Sequence, residues 1–256
     1  MLPPKLIFIE GLPGAGRSTA AELVAERLQR RGIACRWYHD SDAHHPIQPP
    51  LGDPANLTVH MVRQWQDFID ELQAYDGATI VENRLWMRSA MQLLMRTDSA
   101  GALRSYQHAV AQALKPVAPA LVYLEQSSVA MALGRFYGAH GREQLGQEIV
   151  AAEQERWFQA RELTGFEGWL YFLAEWMALL RQLFEEWPYA RLLVSDAYHD
   201  WQRSYDVIVE HLTSRHGRAN MMGSRCLTAP LGRFAKNTAY AVQRTKRTGR
   251  SRETPG

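Results

Sequence analysis

Nine consecutive residues, Gly11-Leu12-Pro13-Gly14-Ala15-Gly16-Arg17-Ser18-Thr19, have the types and spacing to hold a polyphosphate. Glycines at the first, fourth and sixth places permit a tight turn and let backbone N–H groups approach an anion. A helix starting just beyond adds positive potential at its N-terminus. The pattern G-x-x-x-x-G-[K/R]-S also sets a hydroxyl, Ser18, where it can ligate Mg2+ beside the phosphates. Arg17 stands where this chemistry ordinarily has lysine. Its guanidinium keeps the charge and can bind phosphate bidentately, but it is longer and planar, so positioning of the terminal phosphate is a separate question from neutralising it.

Other polar residues could complete a site. Asp40 comes after an apolar run and could accept a proton from a substrate hydroxyl, or serve only as a turn residue. Glu82 directly follows "ATIV", where an acid is hard to explain as core; it could orient Mg2+ or act as the base. Arg84, two residues on, could hold substrate or phosphate. Arg135 and Arg142 flank "FYGAH" and could close on a transferring phosphoryl group as parts of a mobile lid. Arg63 and Arg88 read as helix-surface residues. His44 and His45 are adjacent on a proline-rich loop, a poor arrangement for one metal ion.

The elements that must position these groups emerge from hydrophobic patterning. Short apolar runs at Leu6–Ile9, Ile33–Tyr38, Ala78–Val81, Ala120–Leu124 and Arg191–Val194 read as five strands. Amphipathic stretches at Ser18–Arg31, Leu57–Ala74, Leu85–Arg96, Ala102–Lys115, Gln126–Phe136, Glu143–Leu163, Trp169–Trp187 and Trp201–Leu212 read as helices. The aromatics of Trp169–Trp187 are spaced for burial rather than for stacking on bases. His39–Asn56, with four prolines and no periodicity, is a long loop of the kind that carries function. Strands separated by helices imply a three-layer α/β fold, with a parallel five-stranded sheet covered on both faces.

Composition bounds the rest. Of the net charge of +2, residues 213–256 carry about +9 (ten Lys/Arg and one acid), leaving the body near −7. We therefore read 1–212 as one domain, with the segment at about 134–146 as its lid in the sense of the resemblance given next, and 213–256 as a basic, mobile tail. An acidic body is a poor nucleic-acid surface; the tail alone offers a weak contact. Two distant cysteines fit a reducing cytoplasm, and no stretch approaches the ~20 apolar residues of a membrane span. A homodimer stays open.

Several segments resemble the P-loop small-molecule kinases, the nucleoside, nucleotide and thymidylate-kinase-like enzymes. "FIEGLPGAGRST" is similar to their first strand and phosphate loop, with Arg17 for lysine. "ATIVENRLWMRS" is similar to the strand ending in DR[YF] or ERS, "PALVYLEQSSVAMALGRFYGAHGR" to the fourth strand and arginine-bearing lid, and "ARLLVSDAYHDW" to the last strand and adenine-side loop. Uncharacterised bacterial P-loop NTPases with "EGLPGSGKST" and a later "EGDxxHP" are similar at Asp40–Pro46 as well. The resemblance implies a P-loop NTPase fold with a helical lid, Mg2+ and ATP on Gly11–Thr19, and phosphoryl transfer to a small hydroxyl or phosphate acceptor between Asp40, Glu82 and the helix Leu57–Ala74. In nucleoside kinases of this type a carboxylate at the place of Asp40 takes the acceptor proton. Two alternatives stay open: a nucleotide-binding regulatory protein impaired by Arg17, and a sulfotransferase-like enzyme.

Overall fold

Side chains of the first strand, β1 (Leu6–Gly11), alternate between two buried faces, as a strand of period two requires: Leu6 and Phe8 join one core, Ile7 and Ile9 the other. The computed structural model describes residues 3–48, 56–214 and 225–227, with backbone alone at 139, 140, 142 and 225–227. After β1 come α1 (Arg17–Arg30), β2 (Cys35–Tyr38), α2 (Leu57–Ala74), β3 (Ala78–Glu82), a π-turn (Trp86–Ala90), α3 (Met91–Thr97) and α4 (Ala100–Ala113). The chain continues with β4 (Ala120–Glu125), α5 (Val129–His140), α6 (Arg142–Glu153), α7 (Arg156–Gln159), α8 (Gly165–Glu186), β5 (Arg191–Ser195), α9 (Trp201–Thr213) and β6 (Arg225–Leu227).

The strands pair in the order β2-β3-β1-β4-β5-β6, all parallel. Helices α1 and α9 cover one face through Val24, Leu28, Ile208 and Leu212. The larger core lies on the other face, where Trp65 of α2, Tyr106 of α4, Trp176 of α8 and Trp187 just beyond it are buried with Phe8, Leu121 and Tyr123. This is the three-layer P-loop NTPase architecture, its five-stranded parallel sheet extended among the described residues by the short β6. None of the described helices is long and apolar enough to cross a membrane.

Three departures from the patterning have local causes. The stretch expected as one helix over Leu85–Arg96 opens as a π-turn, in which the Arg88 N–H donates five residues back to the Asn83 carbonyl. The link expected at "YGAHG" narrows to Gly141 (φ 82°), because α5 runs on to His140. The helix expected over Glu143–Leu163 breaks after Glu153, with Glu162 (φ 53°) and Gly165 (φ 65°) turning the chain into α8. Residues 49–55 of the proline-rich loop and most of the basic tail lie outside the described residues.

Candidate active site

The carboxyl ends of β2, β3 and β1 lie side by side, so the segments leaving these strands meet at one edge of the sheet. His39 and Asp40 succeed β2, Glu82 ends β3, and the glycine-rich loop leaves β1. Together they line a cleft of about 640 Å3.

The loop's backbone is left-handed at two of its glycines. Gly14 sits at φ 79°, and a Cβ there would lie 1.8 Å from the Ala132 carbonyl oxygen of α5. Gly16, the residue preceding α1, sits at φ 83°, where a Cβ would fall 2.2 Å from the Trp201 ring. Both backbones are left-handed, which side-chain-bearing residues adopt at a cost. The N–H groups of the first turn of α1 have no partners within the helix, and Gly16, Arg17, Ser18 and Thr19 line the cleft.

Arg17 turns back on this loop. Its Nη1 donates to the Gly11 carbonyl at 2.7 Å and also to Asn83 Oδ1. Burial lowers its pKa from the ordinary range, against the pull of Glu10, Asp40 and Glu82. Beneath it, Glu10 is fully buried and accepts from the N–H groups of Leu85 (2.8 Å) and Met87 (3.3 Å), fixing the entry to the π-turn. Burial lifts the Glu10 carboxyl to about 7, although Arg17 and those N–H groups oppose the rise.

Ser18 and Glu82 meet. The Ser18 hydroxyl donates to Glu82 Oε1 at 3.0 Å, and the Asp40 N–H donates to the same oxygen at 3.1 Å. His39 Nε2 lies 3.5 Å from it. Glu82 is 1 % exposed, and its Oε2 is buried without a hydrogen-bond partner. A buried carboxylate with one oxygen unsatisfied beside a serine hydroxyl offers the oxygen donors a hard cation prefers.

Asp40 is engaged by neighbours. Arg88 grips its carboxylate through Nε (3.2 Å) and Nη2 (3.0 Å), and Asn83 Nδ2 donates to Oδ2 at 2.6 Å. Arg84, 4 % exposed, donates to the Asp40 carbonyl and places Nε 3.6 Å from Oδ1. Burial pushes the Asp40 pKa up, but Arg88, Asn83 and Arg84 outweigh it and hold the carboxyl below its ordinary value. Arg84 thus serves the turn after β2 rather than pointing into open cleft.

The arginines expected on a lid divide. Arg135 Nε donates to the Gly14 carbonyl at 3.0 Å, its Nη2 donates to Gln126, and its guanidinium stacks 4.0 Å from the Tyr198 ring centroid. It ties α5 to the back of the glycine-rich loop while still reaching the cleft wall. Arg142 opens α6, and its side chain lies outside the described residues.

The far wall differs from expectation. Among the described residues no side chain of α2 lines the cleft; that helix spends its apolar stripe on the core. Met87, Arg88 and Met91 of the π-turn and α3, Gln144 and Glu148 of α6, and Trp169 of α8 form the wall instead. Arg88, expected on a helix surface, faces Asp40 because the π-turn rotates it there. His39 and Glu148 carry no signal in the sequence beyond polarity, and Asn83 stands between Glu82 and Arg84 with nothing in its own type to mark a role. Among the described residues no group of three or more His, Cys, Asp or Glu gathers around a metal-sized point.

No protein-family model matches the chain, and no curated protein does. Among solved structures, it is similar to the deoxyadenosine kinase of M. mycoides with bound dATP, at 15% identity and a TM-score of 0.46, over 82% of this chain and 100% of that one. The same kinase with bound dCTP gives 15% identity and 0.46, over 81% and 98%. With the products dCMP and a flexible dCDP it gives 16% identity and 0.43, again over 81% and 98%. Likeness this distant carries no functional weight, and the fold class rests on this chain's own strand order and the glycine-rich turn from β1 into α1.

Proposed function

We propose that this protein is an ATP-dependent phosphotransferase, binding the nucleotide's phosphates on Gly11–Thr19 and passing the terminal phosphoryl to a small hydroxyl or phosphate acceptor in the adjoining cleft. The observation that carries this reading is the Ser18–Glu82 pair, 3.0 Å apart at the mouth of the glycine loop, with Arg17, Arg88 and Arg135 on the same cleft. Phosphoryl transfer asks a protein mainly for positioning and charge neutralisation, and these are the groups for both. Ser18 and Glu82 would hold Mg2+, which when bound neutralises phosphate oxygens. The loop's N–H groups and Arg17 would bind the phosphates, and Arg135 would keep α5 closed on the loop. The acceptor would lie toward Met91 and Trp169, within reach of Asp40 and Glu148.

Two carboxylates compete for the role of base. Asp40, held below its ordinary pKa by Arg88, is a weak proton acceptor as it stands, and Glu82 is committed to Ser18. An acceptor that displaces Arg88 from Asp40 would restore its basicity, and we assign the base to Asp40 on that ground.

A second reading draws on the Arg17 contacts: a guanidinium bonded to its own loop could bind nucleotide without turnover. Purified protein should bind MgATP in calorimetry and transfer labelled γ-phosphate to some member of a nucleoside, nucleotide and sugar panel. Binding without transfer, with turnover appearing in Arg17→Lys, would favour the second reading. No binding at all would sink both.

A further inference from the structure

Among the described residues, Asn83 alone hydrogen-bonds both the phosphate-loop arginine and the acceptor-side carboxylate. It stands just past β3 at φ 64°, in the left-handed region that asparagine tolerates better than most residues, and is 4 % exposed. Its carbonyl oxygen accepts from Arg17 Nη1, while its amide nitrogen donates to Asp40 Oδ2 at 2.6 Å. The side-chain amide accepts at one atom and donates at another, so it serves both partners together; aspartate would lose the donor and set a second carboxylate against Asp40.

The count of donors on Arg17 gives the pair its meaning. Nη1 carries two hydrogens, and the Gly11 carbonyl and Asn83 take both. The edge formed by Nη2 and Nε is what remains for an anion, and that edge matches two phosphate oxygens in parallel. A lysine needs no such anchoring, because its ammonium is a point charge without an orientation to fix.

We infer that Asn83 is the positioning residue that fits an arginine to this phosphate loop. It clamps Nη1 so that the Nη2–Nε edge faces the phosphates, and it links that grip to Asp40. The inference rests on the phosphate-binding reading above and adds a residue to it. Arg17 and Asn83 are then a matched pair, two departures from the lysine-based pattern that compensate each other.

A double-mutant cycle tests this. The wild type, Asn83→Gly, Arg17→Lys and the double variant are titrated calorimetrically with MgATP and with inorganic tripolyphosphate, after circular dichroism and melting confirm the fold. Glycine tolerates the backbone at φ 64° and removes the side chain, amide included. Asn83→Gly should weaken both ligands about 5- to 20-fold with arginine at 17, and less than about 2-fold with lysine there. Should the glycine variant be too unstable to titrate, the rise in melting midpoint that each ligand gives the four proteins replaces the titration, with the same pattern of losses expected. Equal losses in the two backgrounds, or no loss with arginine, would overturn the inference while leaving phosphate binding intact. A wild type that holds neither ligand overturns the phosphate-binding reading and this one with it.

Discussion

Asp40 illustrates how a side chain can be both a catalytic candidate and a structural necessity. Arg84 is buried beside it, and among the described residues Asp40 is the carboxylate within ion-pair distance. Removing one partner of a buried pair strands the other's charge. Asp40→Ala should therefore cost about 2–4 kcal/mol in urea unfolding, and adding Arg84→Met should recover most of it. A loss below about 1 kcal/mol would mean that water or other groups satisfy Arg84. Loss of activity in Asp40→Ala alone would accordingly say little about a base. Residue-level legibility in the sequence is uneven. The glycine loop can be read because turn, anion and helix start each demand particular residue types in order. Arg88 and Asn83 cannot, since one depends on a π-turn and the other on a left-handed backbone, and neither has a spacing signature.

At the scale of elements, α5 and the glycine-rich loop are packed backbone to backbone. Gly14→Ala would drive a Cβ toward the Ala132 carbonyl at a backbone of φ 79°. We expect a stability loss of about 2–4 kcal/mol, with faster proteolysis within α5. Gly134, in the same helix, has nothing within 4 Å of its would-be Cβ. Gly134→Ala should therefore stabilise by up to about 1 kcal/mol, since alanine costs less entropy in a helix. Thermal melts of the pair check both signs, and a loss in both variants would show that the helix tolerates no added methyl. Strands are legible to within two residues because each apolar run is bounded by turns. The π-turn, the single-residue break at Gly141 and the three-residue β6 are not, because each is shorter than the periodicity that reveals an element.

For the molecule as a whole, two buried groups pull stability in opposite directions with pH. Glu10 holds its proton up to about 7 in the folded chain, whereas its ordinary value is 4.5. Across that window the unfolded chain has already released its proton, so rising pH favours unfolding. His45, 2 % exposed, is pushed down by burial and by Arg84 to about 4 from an ordinary 6.5. Falling pH therefore charges the unfolded chain first and again favours unfolding. Relative to wild type, Glu10→Gln should gain stability as pH rises from 4.5 to 7, and His45→Asn as pH falls from 6.5 to 4. Each slope should approach about 1.4 kcal/mol per pH unit at its steepest. Differences from wild type that stay constant with pH would remove both groups from the account. The roof over Gly16 has a further consequence. Trp201 lies edge-on to the loop's last glycine and stacks on Tyr205, half-exposed, while most of the other indoles are sealed in the core. Its fluorescence is consequently an intrinsic optical gauge of how the chain packs at the glycine loop's last turn.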